Sequence, residues 1–88
     1  MALLKIGYTP TFLRQYKKLE QALQKAVKDK IEEFRDRKNH KKLEVHKLHG
    51  KHKECYAFSV DHRNRVSFMY IDAQTVALLG VDDHDIYR

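Results

Sequence analysis

Two hydrophobic periods divide the chain. The run LLKIGY, residues 3–8, predicts a short first strand. Thr9 and Pro10 then suit the N-cap and first position of a helix, in which Phe12, Tyr16 and Leu19 recur at helical spacing. After LEQA a second helix is expected, with Leu23, Val27, Ile31 and Phe34 on one stripe and Lys25, Lys28, Asp29, Lys30, Glu32, Glu33 and Arg35 on the other. These stripes read as core. From Lys38 the periodicity is lost until Glu44, and then the period becomes two. Tyr56, Phe58 and Val60 alternate with Cys55, Ala57 and Ser59; Val66, Phe68 and Tyr70 alternate with Arg65, Ser67, Met69 and Ile71. TVALLGV, residues 75–81, is apolar nearly throughout and predicts a central strand buried on both faces. DHRN and DAQ are short enough for hairpin connections.

The order is therefore β-α-α-β-β-β. The fold class is α+β: a helical hairpin packed on one face of a twisted antiparallel sheet, because nothing else in the chain can cover that face. With 88 residues, one domain over residues 1–88 is expected, holding a thin two-layer core. No apolar run approaches the roughly 20 residues that cross a bilayer. The N-terminal stretch turns polar too soon for a signal peptide, and the single cysteine, Cys55, excludes an internal disulfide. A cytoplasmic protein with no membrane partner is expected. Cys55 falls in a predicted strand, as a small core residue rather than a nucleophile.

Charge changes the picture. The net charge is +6, and it is uneven: Lys38 to Lys53 holds six lysines, four of the six histidines and one glutamate, whereas VDDHD near the end is acidic. Such a basic block meets a phosphate backbone or serves as a solvated face. Within it, HKLHGKHKE places His46, His49 and His52 at a spacing of three. On a helix these would step about 60° apart around the axis, with Gly50 interrupting. On a strand His49 would point away from the other two. Neither geometry converges on a metal ion, so no metal and no cofactor are expected. Histidine does suit proton transfer on a phosphate ester, since its unperturbed pKa lies near 6.5. Lysine or arginine neutralises charge on the phosphoryl oxygens, and RNA supplies its own 2′-hydroxyl nucleophile. With Arg63 and Arg65 the segment holds the residue types a metal-independent ribonuclease needs. A solvated loop remains the plain alternative.

F-x-x-x-Y-K-K-L on the first helix, H-K-L-H-G before a strand, Y-A-F-S-V-D followed by R-V-S-F-M-Y-I, and the ending L-L-G-V-D-D-H-D-I-Y-R together resemble the RelE/ParE superfamily of small bacterial toxins. The pattern covers nearly the whole chain and looks closest to the YafQ-like and RelE-like branches. The resemblance implies a type II toxin with a cognate antitoxin as partner. For the enzymatic branches it implies an endoribonuclease that cuts mRNA on the ribosome through the 2′-hydroxyl.

Residue by residue, the resemblance implies catalytic roles for His46, four before the glycine of H-K-L-H-G, and for His84. Tyr87 falls where the RelE-like pattern has its C-terminal tyrosine, and Arg65 would stabilise the phosphate. Lys47, His49, Lys51, Lys53 and Arg63 would hold message or ribosomal RNA. Leu48 is expected to anchor the chain to the core. The RelE-like branch carries basic residues where this chain has Ala57 and Ser59, and an arginine where it has Ser67. The YafQ-like branch has a mid-hairpin histidine and aspartate, for which Asp61, His62 and Arg65 are the nearest equivalents. Two other readings stay open: a ParE-like toxin that binds gyrase without hydrolysis, and a toxin-fold protein that only binds its partner.

Overall fold

The computed structural model describes residues 3–48 and 54–83, of which 82 and 83 are described as backbone alone. Its elements are β1 (Lys5–Tyr8), α1 (Pro10–Lys17), α2 (Gln21–Phe34), a 3-10 turn (Arg37–Asn39), β2 (His46–Lys47), β3 (Tyr56–Ser59), β4 (Asn64–Asp72) and β5 (Thr75–Asp83). Among the described residues no helix is long and apolar enough to cross a membrane.

The five strands form one sheet in the order β1-β5-β4-β3-β2. The hairpin-linked strands β3, β4 and β5 are antiparallel, as the short connections require. The sheet as a whole is mixed, because β1 joins β5 in parallel, Lys5 beside Thr75 through Tyr8 beside Leu78. The α1–α2 hairpin intervenes between β1 and the rest of the sheet, so the chain enters β5's free edge in the parallel sense. β4 thus occupies the centre, and TVALLGV lies one place outward, between β1 and β4. Val76, Leu78 and Val81 of β5 are buried towards the helices, while Ala77 and Leu79 are half-buried. β2 has only two residues, too few for periodicity to reveal it.

The N-terminus of α1 is built by Thr9. Its hydroxyl accepts from Phe12 N at 3.2 Å and donates to Leu78 O at 2.8 Å, so one side chain caps the helix and ties it to β5. At the far end, Tyr16 Oη donates to Gln24 O at 3.2 Å, and Gln24 Nε2 donates to Tyr16 O at 2.9 Å. This reciprocal pair satisfies a carbonyl in the last turn of α1 and fixes the corner of the helical hairpin.

The core lies between the hairpin and one face of the sheet. Leu4, Phe12, Val27, Ile31 and Phe34 meet Phe58, Val66, Phe68, Val76, Leu78 and Val81. Phe34 is its centre, with ring centroids 4.5 Å from Phe58 and 4.6 Å from Phe68. His40 stacks on it at 4.7 Å with the planes only 8° apart. His40 Nε2 lies 2.8 Å from Phe34 O, and since a carbonyl only accepts, the ring nitrogen donates and closes the C-terminal end of α2.

The aperiodic stretch after α2 is a series of turns. Asp36 Oδ1 accepts from Lys38 N at 3.1 Å, and Leu43 is buried. Lys42 Nζ sits 2.7 Å from Glu33 Oε1, and Lys30 Nζ 3.4 Å from Oε2. These two ammonium groups, Lys42 foremost, hold the Glu33 carboxyl below its ordinary range despite the opposing effect of burial. Leu48 is buried but stands outside the core cluster between helices and sheet, and its N–H, 2.8 Å from Cys55 O, ties the chain to the residue before β3. Cys55 itself is only half-buried. Strand pairing begins at Tyr56, so the cysteine stands outside the ladder that would have carried it into the core.

Candidate functional site

The face of the sheet away from the helices carries the candidate chemistry. Cross-strand partners share a face. Phe58, Val66 and Val81 form one row on the helix side, so the flanking rows point the other way. One of these runs His46, Ala57, Ser67, Gly80 across four strands. The next places Ser59 beside Arg65, with the backbone of Asp82 opposite Arg65. Ala57 and Ser67 are buried, Ser59 and Arg65 are half-buried, and His46 is exposed. The surface is thus a floor of small side chains with an imidazole on one flank and a guanidinium on another.

These groups are joined through Glu44. His46 Nδ1 lies 2.8 Å from Glu44 O, which can only accept, so Nδ1 carries the hydrogen and Nε2 is the basic nitrogen of the neutral ring. Ser59 Oγ donates to Glu44 Oε1 at 3.1 Å, and Arg65 Nη1 donates in turn to Ser59 Oγ. Backbone bonds hold the frame: Ser59 N donates to Leu43 O at 2.8 Å, and Glu44 N to Lys41 O at 3.1 Å. Among the described residues Glu44 is the one non-glycine residue with positive φ, at 59°. Neither Glu44 nor Ser59 stood out in the sequence as a site residue. The faint signal is that Glu44 ends the aperiodic stretch, immediately before the period of two begins.

The structure brings His46 and Arg65 to one face. Lys47 is exposed but pairs with Tyr56, which places it in a helix-side row, away from Arg65. Arg63 and His62 lie in the exposed β3–β4 connection. That turn is organised by Asp61, whose Oδ1 accepts from Arg63 N and Asn64 N, each at 2.8 Å. Burial opposes ionisation of Asp61, but these donors outweigh it and hold the carboxyl below its ordinary range. His49, Lys51, Lys53, His84 and Tyr87 lie outside the described residues. β5 carries the chain to Asp83, opposite Asn64 and one residue beyond the partner of Arg65. Among the described residues no three His, Cys, Asp or Glu side chains are grouped to hold a metal ion.

Chemically, the face offers a nitrogen base in a defined tautomer and a cation positioned by hydrogen bonds. That pair suits proton abstraction next to an anionic group.

No protein-family description and no curated protein sequence matches the chain. Solved structures do. A conserved hypothetical protein of Helicobacter pylori superposes with a TM-score of 0.72 at 16% identity, covering 94% of this chain and 97% of that one. The RelBE2 toxin–antitoxin complex of Mycobacterium tuberculosis gives 0.69 at 21% identity, covering 92% and 98%. A mutant of the E. coli toxin RelE in the free state gives 0.69 at 17% identity, covering 98% and 87%. The fold is that of the RelE/ParE toxins. In this RelE-like fold the two helices cover one face of the mixed sheet and leave the other to the rows that carry His46 and Arg65.

Proposed function

We propose that the protein is the toxin of a type II toxin–antitoxin pair and acts as a metal-independent, ribosome-dependent mRNA endonuclease. One observation carries the nuclease reading: His46, tied through Nδ1 to the Glu44 carbonyl, shares a sheet face with Arg65. In this reading His46 Nε2 takes the proton from a 2′-hydroxyl. The freed oxygen attacks the adjacent phosphorus, the bond to the 5′-oxygen breaks, and a 2′,3′-cyclic phosphate forms. His84 returns a proton to the departing 5′-oxygen, Arg65 neutralises the phosphoryl oxygens, and Tyr87 stacks on a base. Arg63, His49, Lys51 and Lys53 hold the RNA backbone, whereas Lys47, in a helix-side row, is not part of this surface. The likeness to toxin–antitoxin complexes supports an antitoxin partner, and the basic surface favours an acidic segment of that partner.

The test is induced expression followed by mapping of message ends on translating ribosomes. New 5′-hydroxyl ends in ribosome-bound message are expected. His46→Ala is expected to lower cleavage by about 10²–10⁴-fold without unfolding the protein. Intact message together with DNA-damage signalling would point instead to gyrase binding.

A further inference from the structure

Glu44 is the left-handed residue that ends the turn after the 3-10 segment: Val45 N donates to His40 O at 3.0 Å and Glu44 N to Lys41 O at 3.1 Å, a pairing that glycine usually completes. A side chain at φ 59° is disfavoured by contact between Cβ and backbone, and such residues persist where the surroundings over-determine them. Glycine or asparagine would satisfy the same turn with less strain. The turn accounts for the conformation, and the contacts of Glu44 account for a glutamate there. Its carbonyl meets His46 Nδ1 at 2.8 Å while its carboxylate meets Ser59 Oγ at 3.1 Å. Ser59 is in turn the acceptor for Arg65 Nη1. A single residue thus holds the imidazole with its main chain and the guanidinium, through a hydroxyl, with its side chain.

We propose that Glu44 is a positioning residue that sets the His46 tautomer and fixes the Arg65 guanidinium on the same face, at the cost of backbone strain. The inference deepens the nuclease reading and rests on it for its kinetic consequence. Ser59 is the relay: its one proton goes to Glu44, which turns its lone pairs towards Arg65. Without the carboxylate the hydroxyl is free to rotate and Arg65 loses its fixed acceptor. Misplacing a cation relative to a reacting phosphate lowers turnover rather than affinity, since its contribution is greatest as charge develops.

The two arms separate by substitution. Glu44→Gly tolerates the left-handed backbone and keeps the carbonyl for His46, but removes the carboxylate. Glu44→Gln keeps an acceptor oxygen for Ser59. Ser59→Ala removes the relay alone. The experiment measures kcat and KM for cleavage of ribosome-bound message, the melting temperature, and nitrogen-15 spectra of the His46 ring and the Arg65 guanidinium. Glu44→Gly and Ser59→Ala are each expected to lower kcat by about 10- to 100-fold with KM unchanged. Glu44→Gly is expected to melt at or above the wild-type temperature, and the double variant to lose no more than either single one. Glu44→Gln is expected to restore most of the rate. In the spectra, the His46 Nδ1–H form is expected in wild type and Glu44→Gly alike. Restricted rotation of the Arg65 guanidinium is expected in wild type and is lost in Glu44→Gly and Ser59→Ala. Unchanged kcat in Glu44→Gly overturns the proposal, as does an Arg65 signal identical in all three proteins. If wild-type protein cuts no message, the nuclease reading falls, and the spectra still decide whether Glu44 positions the two groups.

Discussion

Gly80 is the position where one added methyl group tests how the helical hairpin is fastened to the sheet. The register of β4 against β5 steps from Ser67–Gly80 to Phe68–Leu78, which leaves Leu79 as the extra residue of a bulge. A Cβ at position 80 would lie 2.7 Å from Gln15 Oε1 and 3.5 Å from Ser67 Oγ. The first distance is too short for a carbon and an oxygen, so the carboxamide must withdraw. It does not withdraw freely, because Gln15 Oε1 accepts from Val81 N at 2.9 Å and Val81 is 2% exposed. Stranding that buried N–H costs about 1–3 kcal/mol. Replacing glycine by alanine recovers roughly 0.4–1 kcal/mol by restricting the unfolded chain. The expected net loss for Gly80→Ala is about 1–2 kcal/mol, or roughly 5–15 °C in melting temperature for a domain of this size. Calorimetry of Gly80→Ala, Gln15→Ala and the double variant checks the mechanism as well as the magnitude. Gln15→Ala alone strands the same N–H and makes room for the methyl, so Gly80→Ala should cost almost nothing in its background. A loss as large there as in wild type would refute the assignment of the contact to Gln15.

His40→Ala removes the ring stacked on Phe34 and the bond to Phe34 O, so a loss of about 1–3 kcal/mol is expected in a denaturant melt. Asp61 has a folded-state pKa below its unfolded value, so its stabilising effect is complete above about pH 4 and is lost as pH falls through the lower, folded value. An acid titration of the melting temperature should therefore fall less steeply for Asp61→Asn, which keeps an acceptor for Arg63 N and Asn64 N but does not ionise. Treatment with a strong chelator should leave the melting temperature unchanged; a drop of several degrees that zinc reverses would restore a metal role for the histidine-rich segment.

Much of this fold is legible in the sequence, because its elements follow from local spacing. Phe12, Val27, Ile31 and Phe34 are buried as their stripes suggest, and Thr9 and Pro10 open α1 as their types suggest. The three hairpin-linked strands follow from alternation, from one apolar run and from short polar connections. The parallel entry of β1 is not local: nothing in LLKIGY states which edge it will meet or in which sense. The bulge at Leu79 is equally silent in an apolar run, although Gly80 marks a close approach there. In the site, histidine and arginine could be named from their chemistry, whereas Glu44 and Ser59 could not. Their role depends on a left-handed backbone and on the register of β3 with β4, which sequence spacing does not encode.

The positions that differ from the RelE-like pattern acquire a physical meaning from this register. Where that branch carries cations, this chain has Ala57, Ser59 and Ser67, of which Ala57 and Ser67 are buried in the floor of the open face. Basic side chains there would need room and solvent that the floor does not supply, and burying an unpaired charge is costly. The middle of the face is therefore neutral, and Arg65 is its cation among the described residues of these rows. A site with several cations can stabilise a phosphorane chiefly by charge. In the proposed nuclease, a site with one fixed cation must obtain more of its rate from proton transfer, and that role falls to His46 with its defined tautomer. The neutral residues at 57, 59 and 67 and the reliance on His46 are then two sides of one proposed arrangement. In that arrangement the placement of a single guanidinium by Ser59 and Glu44 matters more than it would in a cluster of charges.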